Sequence, residues 1–303
     1  MDPLSDVLGL MKPNSYGFRG LDAGGDWSLT FPSAEGVKCF AVHAGYCTIA
    51  LDAGGAPTRL VPGDFVLLPG RSGFRLYSAA DAPATDAYRF FPSFPAGETG
   101  VLNGGGDCMG VGGFFDFTGL HTELLLGVLR PILHIRAEET RAELGWLIAR
   151  LMRELRDPQP GGTLIAGHLA QTLLIEALRL HLAERRGAHA GWLFALGDRQ
   201  IGPVLAAMHA EPARRWALSD LARIAGMSRS SFAVRFKTAV GEPAMDYLTR
   251  WRMMLAADRL ATGRVSIATV APSVGYESES AFSAAFKRTF GGSPSAFARA
   301  RGV

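Results

Sequence analysis

The sequence predicts an α+β protein: an N-terminal β-barrel with a helical hairpin, followed by an all-α domain with two helix-turn-helix motifs. Three observations predict this fold class. Short apolar runs separated by turn residues occupy the N-terminal part, the apolar period becomes helical after residue 137, and one pattern occurs twice near the C-terminus. We therefore expect three parts, at residues 1–136, 137–198 and 199–303.

The composition is that of an ordinary globular protein. Of the 303 residues, 48% are hydrophobic and 19% are charged, and the length suits about two domains. No apolar run reaches the roughly 18 residues that a membrane span needs, and the acidic N-terminus lacks the cationic start of a secretory signal. Three cysteines without a CxxC motif cannot form a disulfide framework. We expect a cytoplasmic protein without a membrane partner.

The barrel prediction rests on residues 36–77. Alternating runs at 37–43 and 46–51 and a buried run at 65–68 indicate short antiparallel strands, with turn sequences between them. Another strand is expected at 112–117.

Residues 78–106 are rich in Ala, Asp, Pro and Gly and predict one long loop. The loop contains an aromatic cluster of Tyr88, Phe90, Phe91 and Phe94. Two interpretations stay open: a lid that closes over the barrel mouth, or a static loop packed on the barrel wall.

Two long helices predict the hairpin. The first carries one apolar stripe, and the second, at 163–186, follows a Pro-Gly-Gly break. The stripe of the first helix consists of Leu144, Leu147, Ile148, Leu151 and Leu155. The hairpin could cover the barrel, form a homodimer contact, or do both.

The repeated pattern, at about 218–239 and 266–290, has the order of a helix-turn-helix motif. Each copy has a helix-capping serine, a small residue, a glycine, a second capping serine, and two phenylalanines four residues apart. These residues are Ser219, Ala222, Gly226, Ser228, Phe232 and Phe236 in the first copy, and Ser266, Ala271, Gly275, Ser278, Phe282 and Phe286 in the second. A 20-residue helix from Pro243 to Thr262 is expected to join the copies, and its length of about 30 Å would place two recognition helices one DNA turn apart.

The charge is divided unevenly along the chain. Residues 1–200 contain 17 Lys and Arg against 21 Asp and Glu, whereas residues 201–303 contain 14 against 7. A basic C-terminal module points to double-stranded DNA as its partner.

At these residues the chain resembles the AraC/XylS family of bacterial transcription regulators. Val274–Pro294 is similar to the C-terminal signature of that family, while Asp2–Leu8, Gly63–Pro69 and the segments around Trp192 and Ile201 resemble its subgroup with a cupin-type sensor. The resemblance implies a sequence-specific regulator with a cupin-like barrel that responds to a small-molecule effector. RNA polymerase is a further candidate partner. Pro272, inside an expected helix, departs from the family pattern.

Candidate DNA-binding residues follow from helical geometry and from this resemblance. In the family, positions matching Ser230, Ala233 and Val234 read bases, and small apolar groups there suit thymine methyls. Outward-facing positions and phosphate-binding cations complete the set. The full set is Arg229, Ser230, Ala233, Val234, Lys237, Glu277, Glu279, Ser280, Ser283, Ala284, Lys287 and Arg288. For each side chain the alternative is a solvated surface residue.

Candidate effector-pocket residues lie on the predicted strands. They are Phe40, Val42, His43, Phe65, Leu67, Phe74, Phe115 and Phe117. A filled core is the alternative for each. Metal-using cupins resemble one another in an HxH pair and a later histidine, but His43 has no such partner and Phe74 stands at the later position. No metal site or cofactor is therefore expected.

The leading interpretation is a DNA-binding regulator without enzymatic activity. Two alternatives stay open: a cupin enzyme with a DNA-binding appendage, and a regulator whose solid barrel binds a partner instead of an effector. Cys39, Cys47 and Cys108 could fill the core or sense oxidants, and core filling is favoured.

Overall fold

The structure is a computed structural model, and it describes residues 2–11, 13–16, 18–34, 36–69, 72–94, 98–117, 131–136, 142–157, 159–184, 191–261 and 265–301. The chain divides into two compact units. One unit contains Pro13–Phe117 with Leu129–His181, and the other contains Met1–Lys12 and Thr118–Val128 with Leu182–Val303. No helix in the described part of the chain combines the length and the apolar character needed to cross a bilayer.

The first unit contains two sheets. Its strands are β1 Pro13–Tyr16, β2 Arg19–Ala23, β3 Ser28–Phe31, β4 Val37–Ala44, β5 Cys47–Leu51, β6 Thr58–Leu60, β7 Phe65–Leu68, β8 Phe74–Tyr77, β9 Ala84–Asp86, β10 Thr99–Leu102, β11 Cys108–Phe117 and β12 Leu133–Ile135. The first sheet has the order β10-β2-β11-β4-β7-β12, with β1 also paired to β11. The second has the order β6-β5-β8-β3-β9.

The two sheets enclose a shared apolar core, so the predicted β-rich domain is confirmed but its form is a sandwich. Leu21, Phe40 and Val66 of the first sheet pack in one buried cluster with Ile49 and Leu76 of the second. In the described residues no strand pairing closes the sheets into a barrel. Alternating side chains supply this core, because successive residues of a strand point to opposite faces.

The prediction of one long loop at 78–106 was wrong. This segment contains β9, a helix α2 (Ala87–Phe90), a 3-10 turn (Phe91–Ser93) and β10. Both strands pair in parallel, β9 with β3 and β10 with β2. Three or four residues are too few to show an alternation in sequence, and their stability comes from pairing with distant strands.

The two long helices predicted for the hairpin are present after the sheets. They are α3 (Ala142–Arg156) and α4 (Gly162–Glu184). Helix α3 packs on β2, β4 and β11. All five residues of the predicted stripe on α3 are buried, from Leu151 at 0% to Leu147 at 7% exposed. Helix α3 therefore covers the outer face of the first sheet, as one interpretation of the hairpin required.

The second unit is all-helical in its described residues. Its helices are α1 Pro3–Met11, α5 Trp192–Ala195, α6 Ile201–Ala210, α7 Leu218–Ile224, α8 Arg229–Val240, α9 Ala244–Ala261, α10 Ile267–Ser273, α11 Glu279–Phe290 and α12 Pro294–Arg301. The pairs α7–α8 and α10–α11 are the two predicted helix-turn-helix motifs. Helix α9 has 18 residues, or about 27 Å, close to the predicted connector. The expected stop at Gly263 lies outside the described residues.

The buried and capping residues of the motifs agree with the repeat, with one exception. Phe232, Phe236, Phe282 and Phe286 are all 0% exposed. The hydroxyls of Ser228, Ser266 and Ser278 accept hydrogen bonds from backbone N–H groups three residues later. Gly226 and Gly275 have φ of 65° and 86°, in the left-handed region that favours glycine.

Ser219 is the exception, because helix α7 begins two residues earlier than the repeat predicts. Ala217 is the N-cap, and its N–H donates to the carboxylate of Asp220 at 3.1 Å. Ser219 therefore lies within the first turn. The side chain that caps this helix is therefore Asp220, at the third helical position, and not Ser219.

The N-terminal helix α1 packs on α6 and α9, within the second unit. Its residue Asp6 places Oδ2 3.5 Å from Nδ1 of His209 on α6. The His209 ring stacks on Trp251 at 3.9 Å between centroids and contacts the Tyr247 hydroxyl at 2.7 Å through Nε2. The sequence prediction placed residues 1–136 together with the barrel and did not anticipate this packing.

Candidate functional site

The predicted DNA-binding residues lie on α8, on α11 and just before α11. Ten of the twelve are exposed, and Ala233 and Ser283 are half-buried. Val234 is an apolar residue that is 70% exposed. Each helix buries its phenylalanines and presents the opposite face to solvent, so the predicted outward positions are available to a partner.

Glu277 differs from the other predicted residues because it already has an ion-pair partner. Its carboxylate pairs with the guanidinium of Arg215, in the segment that precedes α7. Both side chains are exposed. This ion pair competes with any contact of Glu277 to a base edge, such as a hydrogen bond from cytosine N4.

The segment before α7 is also held against the second motif. The Arg252 guanidinium on α9 donates to the carbonyls of Pro212 and Arg214, each at 2.7 Å. A Cβ at Gly275 would come within 2.7 Å of the Ala213 carbonyl oxygen. Only glycine permits this close approach, so the two motifs are joined by more than the α9 connector.

A cavity of about 500 Å³ lies in the first unit, at one end of the sandwich. It is bounded by strands of both sheets, by α2 and by the 3-10 turn. The lining residues are Arg19, Leu21, Phe31, Ala34, Lys38, Cys39, Phe40, Phe74, Leu76, Ala87, Tyr88, Phe91, Pro92, Gly112, Gly113 and Phe114. Tyr88 is 50% and Phe114 41% exposed, so the cavity opens to solvent beside them.

Glycines on β11 make room for this cavity. Cys108, Gly110 and Gly112 alternate along the face of β11 that points into the sandwich. A Cβ at Gly110 would lie 2.4 Å from the Phe40 ring, and one at Gly112 would lie 3.0 Å from it. The Phe40 ring therefore lies against β11, in space that a side chain at Gly110 or Gly112 would need.

The structure brings two of the eight predicted pocket residues, Phe40 and Phe74, to the cavity. Val42 is buried in the sandwich core but does not line the cavity. His43 is exposed at the end of β4, so its assignment to the pocket was wrong. Phe117 lies in β11, and its side chain lies outside the described residues.

Phe65, Leu67 and Phe115 are buried on the other face of the first sheet, so their assignment to the pocket was wrong as well. Val66 and Leu68 point into the sandwich instead. A shift of one residue moves every side chain of a strand to the opposite face. All four residues of β7 are buried, and such a continuous apolar run carries no alternation from which to choose the face.

Two cationic side chains line the cavity, and the sequence prediction missed both. Lys38 on β4 is only 5% exposed, and its Nζ donates to the Ser72 carbonyl at 3.4 Å. Burial lowers the pKa of Lys38, although the Asp52 carboxylate partly opposes this. The Arg19 guanidinium on β2 donates to the Phe94 carbonyl at 3.1 Å. The sequence did contain a signal for Lys38: it is a charged residue within an otherwise apolar predicted strand.

The three cysteines are free and buried. Cys47 and Cys108 lie in the sandwich core, one from each sheet. Their thiols form a hydrogen bond, which raises the pKa of Cys47 and lowers the pKa of Cys108. Burial raises the pKa of Cys39. All three fill the core, and within the described residues no group of three His, Cys, Asp or Glu side chains could hold a metal ion.

Comparisons with known proteins agree with both units. The family described as Cupin matches residues 2–183, and the family described as Helix-turn-helix domain matches residues 221–300. An AraC-like transcription regulator of Streptomyces lividans is 41% identical over 297 residues, covering 97% of each chain. The transcriptional regulator AlkR of Acinetobacter baylyi is 30% identical over 302 residues, covering 97% of this chain and 98% of AlkR.

Among solved structures, ToxT from Vibrio cholerae is similar over 95% of this chain and 97% of its own, with 12% identity and a TM-score of 0.36. The family assignment rests on the sequence relatives, which match along nearly the whole chain and share both domains. The chain belongs to the AraC/XylS family of transcription regulators, with an N-terminal cupin domain and a C-terminal DNA-binding domain of two helix-turn-helix motifs.

Proposed function

We propose that this regulator binds one DNA duplex with both recognition helices, α8 and α11, and that its cupin cavity binds the effector that controls this binding. The observation that carries the first part is the paired architecture: two matched motifs joined by α9 in a basic part of the chain. One protomer would then contact two half-sites about one helical turn apart on the same DNA face.

The predicted residues have different roles in this proposal. Ser230, Ala233 and Val234 face base edges from the first motif, and Glu279, Ser280, Ser283 and Ala284 do so from the second. Arg229, Lys237, Lys287 and Arg288 contact phosphates, which fix the register without reading sequence. Glu277 can accept from a cytosine, in competition with its ion pair to Arg215.

Selection of bound duplexes from a random pool, with the full-length protein, tests this proposal. Val234 and Ala284 occupy matching positions of the two repeats and are both exposed. Val234→Asp should erase the base preference of one half-site and Ala284→Asp that of the other, because a carboxylate there repels phosphates. Thr163→Asp, an exposed control on α4, should change neither. A selected motif with one half-site only, or loss of both half-sites in each variant, would contradict the two-headed arrangement.

The effector part of the proposal rests on the cavity. Its volume of about 500 Å³ falls within the range of small-molecule sites, and its lining is mostly apolar. A partner-binding regulator with a solid sandwich is less consistent with this open space. The aromatic residues of α2 and the adjacent turn contribute both to the lining and to the packed core, so they are placed to respond when a ligand enters.

We further infer that the protein is a cytoplasmic regulator rather than an enzyme. The relatives that match the full chain are named as transcription regulators, and this supports the inference. We also propose a homodimer through the exposed apolar residues of the hairpin, including Trp146 and Leu164. RNA polymerase stays a candidate partner.

A further inference from the structure

The charge of the cavity lining is one-sided. Arg19 and Lys38 line it, and no carboxylate does so among the described residues. The other lining residues are uncharged: aromatic and aliphatic side chains, Cys39 and glycines. A lining of this kind favours a ligand that combines an apolar body with a negative group.

Lys38 has few partners of its own. Its side chain points into the sandwich like Phe40 and Val42, two and four residues along β4. Its ammonium has the single 3.4 Å hydrogen bond to Ser72 and lies 5.8 Å from the centre of the Phe74 ring. In the part of the chain that the structure describes, no carboxylate lies within ion-pair distance of it. A buried ammonium is costly unless it is paired, and an anionic ligand would provide the pair.

The sheet register places the two cations on the strands that flank β11. Arg19 and Phe40 both pair with Gly112, one from each neighbouring strand, and Lys38 pairs with Phe114. Arg19 and Lys38 therefore project from strands on opposite sides of β11, which lie roughly 10 Å apart. Gly112 lies between them without a side chain, and the Phe40 ring lies beside it as part of the apolar wall.

We propose that the cavity binds a small organic carboxylate, with its carboxylate group at Lys38 and Arg19 and its apolar body among Phe31, Phe40, Phe74 and Phe91. This inference rests on the proposed role of the cavity as the effector site. Lys38 is the principal partner of the anion. Arg19 is more exposed than Lys38 and already donates to the Phe94 carbonyl.

Calorimetric titration of the full-length protein tests the proposal with two matched pairs of probes. One pair is octanoate and 1-octanol, and the other is 2-naphthoate and 2-naphthalenemethanol, so that chain-like and aromatic bodies are distinguished. At least one carboxylate should bind about tenfold or more tightly than its neutral partner, because only the carboxylate gains charge-assisted hydrogen bonds.

Lys38→Met should remove this preference while leaving the binding of the neutral partner within about twofold, because methionine keeps the apolar bulk. Lys38→Gln is a second variant in case the first does not fold. Arg59→Met, an exposed change outside the cavity, is the control and should leave the preference unchanged.

Equal binding of the carboxylates and their neutral partners would overturn the anion assignment, and so would a preference that survives both Lys38 variants. Failure of all four probes to bind would overturn it as well. DNA affinity is measured on the same preparations. If DNA binding is retained while the carboxylate preference is absent, only the anion assignment fails and the DNA-binding proposal stands. A protein that binds neutral probes but not anions selectively would still have an effector cavity.

Discussion

Val234 is 70% exposed on α8, although valine gains free energy from burial. A thymine methyl group is an apolar partner that a major groove can offer it. Val234→Ala removes two methyl groups, and we expect roughly a fourfold to tenfold loss of preference for thymine at one base position. Measured affinities for duplexes that differ at that position check this. Thr238→Ala, exposed farther along α8, is the control, and an equal effect of both changes would contradict the assignment of Val234.

Lys287 is expected to act on every sequence alike. It lies exposed in the last turns of α11, and we expect it to contact phosphate oxygens. Lys287→Ala should weaken binding to specific and random duplexes by similar factors and lower the slope of log affinity against log salt by about 1. Affinities at a series of salt concentrations measure this slope. A change in base preference without a change in slope would count against a phosphate contact.

His209 makes the second unit sensitive to acid. Burial lowers the pKa of His209 to about 4, from an ordinary value of 6.5, so the buried ring is neutral at pH 7. Because the unfolded chain binds this proton more readily, stability is full above about pH 6.5 and is lost as the pH falls toward about 4. The loss is on the order of 3 kcal/mol at the end of this range. The raised pKa of Asp6, caused by burial, offsets part of it at the acid end.

Melting temperatures of the full-length protein at about pH 7.5 and pH 5 test this prediction. The wild type should lose several degrees more than His209→Gln, because glutamine keeps a polar group and cannot gain a proton. Asp6→Asn should increase the loss by removing the opposing group. Equal pH sensitivity of the wild type and His209→Gln would show that the histidine is not the titrating group.

At the scale of the elements, the helices could be predicted from the sequence because their signals are local. The positions of Phe232 and Phe236, of Gly226 and of Ser228 lie within one stretch of chain and recur in the second motif. The burial of the phenylalanines, the capping by serine and the positive φ of glycine then follow from the residue types alone. One helix cap was still predicted wrongly: Ser219 is not the N-cap of α7, because Asp220 in the first turn accepts from the N–H of Ala217.

The sheet elements that position the cavity could not be predicted to the same degree. β7 is buried on both faces, so the sequence alone does not show which of its residues face the second sheet. β9 and β10 form only because distant strands pair with them. Lys38 and Arg19 become cavity residues through the register of β2, β11 and β4, which is a property of the assembled sheet.

Pro272 weakens the first helix of the second motif. It is the sixth residue of α10, so it cannot donate to the carbonyl of Ala268. Pro272→Ala restores a donor there, and we expect the C-terminal unit to gain about 1–3 kcal/mol and to melt at a higher temperature. Base preferences should stay nearly unchanged, since Pro272 lies outside α11. Pro243→Ala is the matched control: Pro243 is exposed just before α9, where no helical hydrogen bond is missing. Lower stability of Pro272→Ala would contradict this account.

At the scale of the whole molecule, the exposed apolar residues of the hairpin should govern self-association. Leu164 is 72% exposed in the first turn of α4. Leu164→Glu should weaken the proposed homodimer at least tenfold, because a carboxylate buried in an interface loses its hydration without an ion-pair partner. Sedimentation at a series of concentrations measures the association. Thr163→Glu adds the same charge at the neighbouring exposed position and should have a smaller effect. A wild-type protein that stays monomeric at high concentration would rule out the dimer.

Helix α1 has a consequence for how such regulators can be recombined. Val7 of α1 packs beside Trp192, Tyr247, Trp251 and Met254, yet the strand that follows α1 pairs with β11 of the cupin domain. The helical unit is therefore encoded by both ends of the gene. A chimaera made with a single junction near residue 198 would join these helices to a foreign sensor and its foreign N-terminal segment, so that Trp251 and His209 would lose the α1 residues that pack against them here. Sensor exchange between such regulators should succeed only with two junctions, one after residue 12 and one before residue 191. The native α1 then stays with the native C-terminal helices.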